Sequence, residues 1–104
     1  AGRGGRRFVS CVVRLSREKD PMLFVELVER LRPTLEALGL TPLLCGAAAE
    51  PEYAAAVKAR LRAAFPRAAI IDAFLGPRSL AAVFAQTALN VHPCAYEAYG
   101  MTIV

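Results

Sequence analysis

The chain has 104 residues, 56% of them hydrophobic and 21% charged, with a formal net charge of +4. That length allows one small domain, and this balance describes a globular chain rather than a disordered one. No apolar run approaches the roughly 20 residues that cross a bilayer, and AGRGGRRF lacks the apolar centre of a signal peptide, so a cytoplasmic location is the default expectation.

Residues 1–7 hold Arg3, Arg6 and Arg7, three of the excess charges, among glycines. They read as a basic flexible tail or linker, and residues 8–104 as the folded part. A tail of this kind can touch phosphates, but a solvated end is the simpler reading, and no nucleic-acid partner is expected. Cys11, Cys45 and Cys94 are odd in number and widely spaced, and His92 is the only histidine. A disulfide framework and a metal centre are both disfavoured, and no cofactor is expected. Each cysteine sits in an apolar segment, as buried free thiols do.

The first element is FVSCVVRL (8–15), β-branched and almost wholly apolar, which suits a strand buried on both faces. Asp20-Pro21 is a helix start, with Asp20 as N-cap and Pro21 at the first helical position. Phe24, Leu27, Val28, Leu31, Leu35 and Leu38 follow at helical spacing. Pro33 should kink or split that helix, and Gly39 should cap its end. TPLLCG (41–46) is a second strand. Pro51 opens a helix with Ala54, Val57, Leu61, Ala64 and Phe65 on its apolar face, and Pro66 stops it. AAIIDAFLG (68–76) reads as a third strand, SLAAVFAQT (79–87) as a helix capped by Ser79, and ALNVHP (88–93) as a fourth strand. After Gly100, MTIV looks like a first helical turn.

The order βαβαβαβ(α) is the signature of a Rossmann-like parallel sheet with helices on both faces, here with expected strand order 3-2-1-4. In such a sheet ligands bind outside the carboxyl ends of strands 1 and 4. Arg14, Arg17, Glu18 and Lys19 follow strand 1, and Glu97 and Gly100 follow strand 4. Arg14 and Lys19 suit a diphosphate. A helix starting at Gly100 would add backbone N–H groups, and glycine allows close approach. Glu97 would accept hydrogen bonds from hydroxyls. Together these residues suit a diphosphate joined to something rich in hydroxyls. No G-x-G-x-x-G follows strand 1, which speaks against an ordinary dinucleotide site. A plain solvated loop is the competing reading for 14–19, and an exposed loop acid for Glu97. His92 reads as a packed or capping residue, and Tyr96 and Tyr99 as packing.

VVRLSREKDP resembles the R-L-x-x-E-K segment that opens the C-terminal, donor-binding domain of retaining GT-B glycosyltransferases of family four. LNVHPCAYEAYGMTIV is similar to the E-x(7)-E segment of that domain, commonly P-S-x-x-E-x-F-G-x-x-x-x-E. The two stand in the right order about 80 residues apart, and the resemblance covers residues 8–104. It implies that the chain helps move a sugar from a nucleotide diphosphate sugar to an acceptor with retention. Arg14 and Lys19 would hold the diphosphate and stabilise the departing charge without a metal. Glu97 would contact sugar hydroxyls, and the backbone at Gly100, Met101 and Thr102 would meet sugar and diphosphate. Leu75, Gly76 and Pro77 would lie near the base.

The match departs from the family pattern at Val13 (often glycine), Cys94 (usually serine) and Tyr99 (usually phenylalanine). The second glutamate of the motif falls just after Val104, so the chain reads as a fragment. The implied partner is an N-terminal acceptor-binding domain of the same, longer chain, without which the fragment should be inactive. The alternative is a module that binds a nucleotide or nucleotide sugar without catalysis.

Overall fold

A computed structural model describes residues 6–93 of the chain. In order these form β1 (Phe8–Val12), α1 (Pro21–Arg30), α2 (Arg32–Ala37), β2 (Thr41–Cys45), α3 (Pro51–Ala64), β3 (Ala69–Ile71), α4 (Pro77–Ala85) and β4 (Thr87–Asn90). The four strands make one parallel sheet of order β3-β2-β1-β4, the expected Rossmann-like arrangement. The helix expected at Gly100 lies outside the described residues.

β1 is central and its side chains alternate between two environments. Val9 and Cys11 join Phe24, Val25 and Val28 of α1, Leu44 of β2, and Ala54, Val57 and Leu61 of α3 in the main core. Phe24, Val25, Val28, Val57 and Leu61 are fully buried, each worth about 1.5 to 3 kcal/mol against exposure. Ser10, on the other face, is also fully buried, and its Oγ lies 2.7 Å from Thr87 Oγ1. Thr87 spends its one hydroxyl hydrogen on the Val83 carbonyl at 2.8 Å, so Ser10 is the donor between them. This short polar chain joins β1, β4 and α4 without leaving a buried hydroxyl unpaired.

Pro33 splits the first helical segment as its missing N–H requires: α1 ends at Arg30 and α2 begins at Arg32. The break alters the expected apolar face. Phe24, Val28 and Leu35 are buried, as is Val25, whereas Leu27, Leu31 and Leu38 are exposed. Gly39, at φ 71°, ends α2 in a Schellman motif. Leu40 N–H donates to Leu35 O at 2.8 Å and Gly39 N–H to Glu36 O at 3.1 Å.

Three expectations need correction. Asp20 precedes α1 but makes no side-chain cap; it sits left-handed at φ 51°, which aspartate tolerates, and its carbonyl accepts Leu23 N–H. α4 begins at Pro77, preset for the first helical position, and Gly76 rather than Ser79 precedes it. β3 is only three residues long, because pairing with β2 runs out at Cys45↔Ile71. Residues 72–76 therefore form a loop, where strand was expected.

Gly46, just beyond β2, fixes how closely the strand exits pack. Its N–H donates to Ile71 O at 3.0 Å, and a Cβ there would meet Val13 O at 1.7 Å. Gly76 has nothing within 4 Å of the same position. Gly46→Ala is therefore expected to lower the unfolding free energy by about 3 kcal/mol. Gly76→Ala should change it by no more than about 0.5 kcal/mol. Urea unfolding of the two variants beside the parent measures the difference, and equal midpoints would contradict the packing described.

Candidate functional site

A cavity of about 230 Å³ opens at the carboxyl edge of the sheet, where β1, β2 and β3 end. Arg14, Cys45, Gly46, Phe74, Leu75 and Leu80 are among its walls. Ligand pockets of drug size run from about 300 to 1,000 Å³, so this one holds a ring-sized group rather than a whole nucleotide sugar. It lies one strand away from the β1/β4 switch point expected from the sequence.

Arg14 is exposed, and its guanidinium has no partner among the described residues, leaving all its donors for a ligand. Phe74 is 88% exposed at the same cavity, a costly place for a phenyl ring with nothing upon it. Asp72, two residues earlier, is tied to α3 by Lys58 Nζ at 2.7 Å, which anchors the loop that carries Phe74. The remaining walls are mostly apolar. The arrangement offers one cation beside a hydrophobic slot with an aromatic ring at its side.

The loop carrying Arg14 is held by a latch. Glu50 Oε2 accepts the Arg17 backbone N–H at 2.9 Å, and Glu50 Oε1 accepts the Arg17 guanidinium. That guanidinium also lies 4.9 Å from the centre of the Tyr53 ring, a cation–π contact. Tyr53 Oη accepts Met22 N–H at 3.4 Å, and Glu50 N–H donates to Leu15 O at 3.3 Å. The Arg17 backbone N–H is the main cause that holds the Glu50 carboxyl below its usual range, with the Arg17 side chain adding to it.

Burial disfavours the thiolate at the two cysteines of β1 and β2. Burial, with the nearby Cys45, pushes the Cys11 thiol up to about 12. Burial also raises Cys45, whose Sγ lies 3.7 Å from the Ala73 carbonyl. A thiolate is the reactive form, and burial in apolar surroundings suppresses it.

Arg14 and Leu75 thus come together from different loops. Lys19 is half-buried in the β1–α1 loop and is not a wall of this cavity; Gly76 and Pro77 start α4 beside it. Glu97, Gly100, Met101 and Thr102 lie outside the described residues. His92 is exposed. Three contributors were missed in the sequence. Phe74 falls in a run that reads as strand, Gly46 at the end of another, and Glu50 has a role set only by its distance from Arg17. A large aromatic just before Leu-Gly-Pro was the available signal for Phe74. Among the described residues no group of three or more His, Cys, Asp or Glu side chains could hold a metal ion, and no helix is long and apolar enough to cross a membrane.

No protein-family model matches the chain, and neither a curated protein nor a solved structure matches it.

Because folding lowers the Glu50 pKa, the latch is complete at neutral pH and opens as pH falls through that lowered value. The Arg17 amide proton, followed by NMR, should titrate with a midpoint below the ordinary glutamate value, and Glu50→Gln should abolish that titration. A midpoint at or above the ordinary value would show that the latch does not form in solution.

Proposed function

We propose that this chain holds the donor of a retaining glycosyltransferase, a nucleotide diphosphate sugar. The observation that carries the reading is the meeting of Arg14 with Phe74 and Leu75 at one recess on the carboxyl edge of a parallel sheet. Ligands of such sheets bind at this edge. The recess is the size of a ring, and its apolar walls suit a nucleobase. Arg14, without a partner among the described residues, suits the phosphate oxygens that follow the base.

In the transfer step, the bond between the anomeric carbon and the diphosphate oxygen breaks, and negative charge grows on the leaving diphosphate. A guanidinium already in place stabilises that charge without reorganising. Lys19 is proposed to share this charge, and Glu97 to hold sugar hydroxyls. Gly100, Met101 and Thr102 are proposed to contribute backbone donors to the sugar and diphosphate. Arg17, Glu50 and Tyr53 act through Arg14 as positioning residues, since they hold its loop against α3. The acceptor would be presented by another domain, and no cofactor enters the reaction.

Calorimetric titration with UDP, GDP and ADP, each beside its monophosphate, tests the reading. At least one diphosphate should bind more tightly than its monophosphate. Arg14→Ala should weaken that diphosphate about tenfold or more, the scale of a hydrogen bond to a charged group, and narrow the gap to the monophosphate. Phe74→Ala should weaken both about equally. If none of the three diphosphates binds, or Arg14→Ala binds as the parent does, the reading is wrong.

A further inference from the structure

The charges of the described residues are divided unevenly between the two edges of the sheet. At the carboxyl edge and its loops, Arg14, Arg17, Lys19, Lys58 and Arg78 are matched by Glu18, Asp20, Glu50, Glu52 and Asp72. On the flank between α1 and α3, Arg60 pairs with Glu26 and Glu29. The amino edge differs. Arg6 and Arg7 precede β1, Arg30 and Arg62 end α1 and α3, Arg32 starts α2, and Arg67 precedes β3. All six are exposed; Glu36 is bound to Arg32 at 3.0 Å, and Glu29, next to Arg30 in the chain, is taken up by Arg60. The side chains of Arg6, Arg30, Arg62 and Arg67 have no partner among the described residues.

Large apolar side chains stand among these cations. Leu31, Leu38 and Phe84 come at the ends of α1, α2 and α4, and are 39%, 57% and 41% exposed. A recess of about 250 Å³ lies between Arg32 and Arg67, with Glu36, Phe65 and Pro66 in its wall. Favourable placement at helix C-termini accounts for Arg30 and Arg62. It does not account for Arg6, Arg67 or the uncovered leucines and phenylalanine.

We propose that the amino edge of the sheet docks on an anionic lipid surface. Guanidinium groups meet headgroup phosphates, the Arg32–Arg67 recess takes one headgroup, and Leu31, Leu38 and Phe84 enter the boundary with the acyl chains. A nucleic acid presents phosphates without an apolar layer beneath them and would leave those side chains uncovered. The docked orientation turns the carboxyl edge, with its cavity, away from the bilayer. The inference does not depend on which ligand that cavity takes.

Co-sedimentation of the chain with vesicles tests it. Binding is expected to vesicles of phosphatidylcholine mixed with phosphatidylglycerol, to be absent with phosphatidylcholine alone, and to weaken as salt is raised. Each arginine near such a surface is worth roughly fivefold in partitioning. The exposed pair Arg62→Gln, Arg67→Gln should therefore lower binding about twenty-five-fold. The pair Leu38→Ser, Phe84→Ser should weaken binding at unchanged charge, with circular dichroism confirming the fold of both. Parent-like binding by either double variant overturns the proposal. So does equal binding to both vesicle types, or binding to a DNA duplex without binding to vesicles.

Discussion

The carboxyl edge depends on the approach of two backbones at Gly46. Val13 O occupies the space in which any other residue would carry a Cβ. That contact lets the exits of three strands be stitched together: Val13 N–H to Cys45 O, Gly46 N–H to Ile71 O, and Leu15 N–H to Ala47 O, all within 3.0 Å. Buried backbone groups must find partners, and here they find each other across strands rather than along them. The loops beyond then start from fixed points. Arg14 leaves one and the 72–75 loop leaves another, so their convergence on one cavity follows from the packing beneath.

Glu50 extends the same logic outward. Its backbone N–H binds Leu15 O and its carboxylate binds both the backbone and the side chain of Arg17, so two loops behave as one. The pair is exposed, and its value lies in geometry more than in stability, since surface ion pairs contribute little on their own. A cation meant for a ligand gains from a loop held this way, because less ordering remains to be done on binding. Among the described residues Arg17 is occupied and Arg14 has no partner, although both are arginines of one short loop.

The two edges of the sheet are chemically unlike. One is electrically balanced, with opposite charges matched; the other is cationic, with several arginines unpaired among the described residues. Parallel strands make this division possible. Every strand exit falls on one edge, with the starts of α1, α3 and α4, and every strand entry on the other, with the helix ends. A bias in which residues end helices and open strands therefore becomes a bias of the whole molecular face.

Much of the fold was legible in the chain. Apolar runs at 8–15 and 41–46, prolines at helix starts, the break at Pro33 and the glycine cap at Gly39 follow from local rules, which act within a few residues. The alternation of strand and helix then leaves few topologies, so the order β3-β2-β1-β4 could be read as well. The end of β3 could not, because it is set by its partner strand. Nor could the exposure of Leu27 and Leu31, because it depends on how the split helix lies on the sheet. Arg14 was legible as a site residue from its place after β1, and Leu75 from its loop. Phe74, Gly46 and Glu50 were not, because their roles rest on residues far away in the chain: Arg14, Val13 and Arg17. The sequence by itself determined the elements, their order and the charge of each loop. Tertiary structure alone decided which of those charges remain unpaired and which edge they share, since pairing is a matter of distance in space.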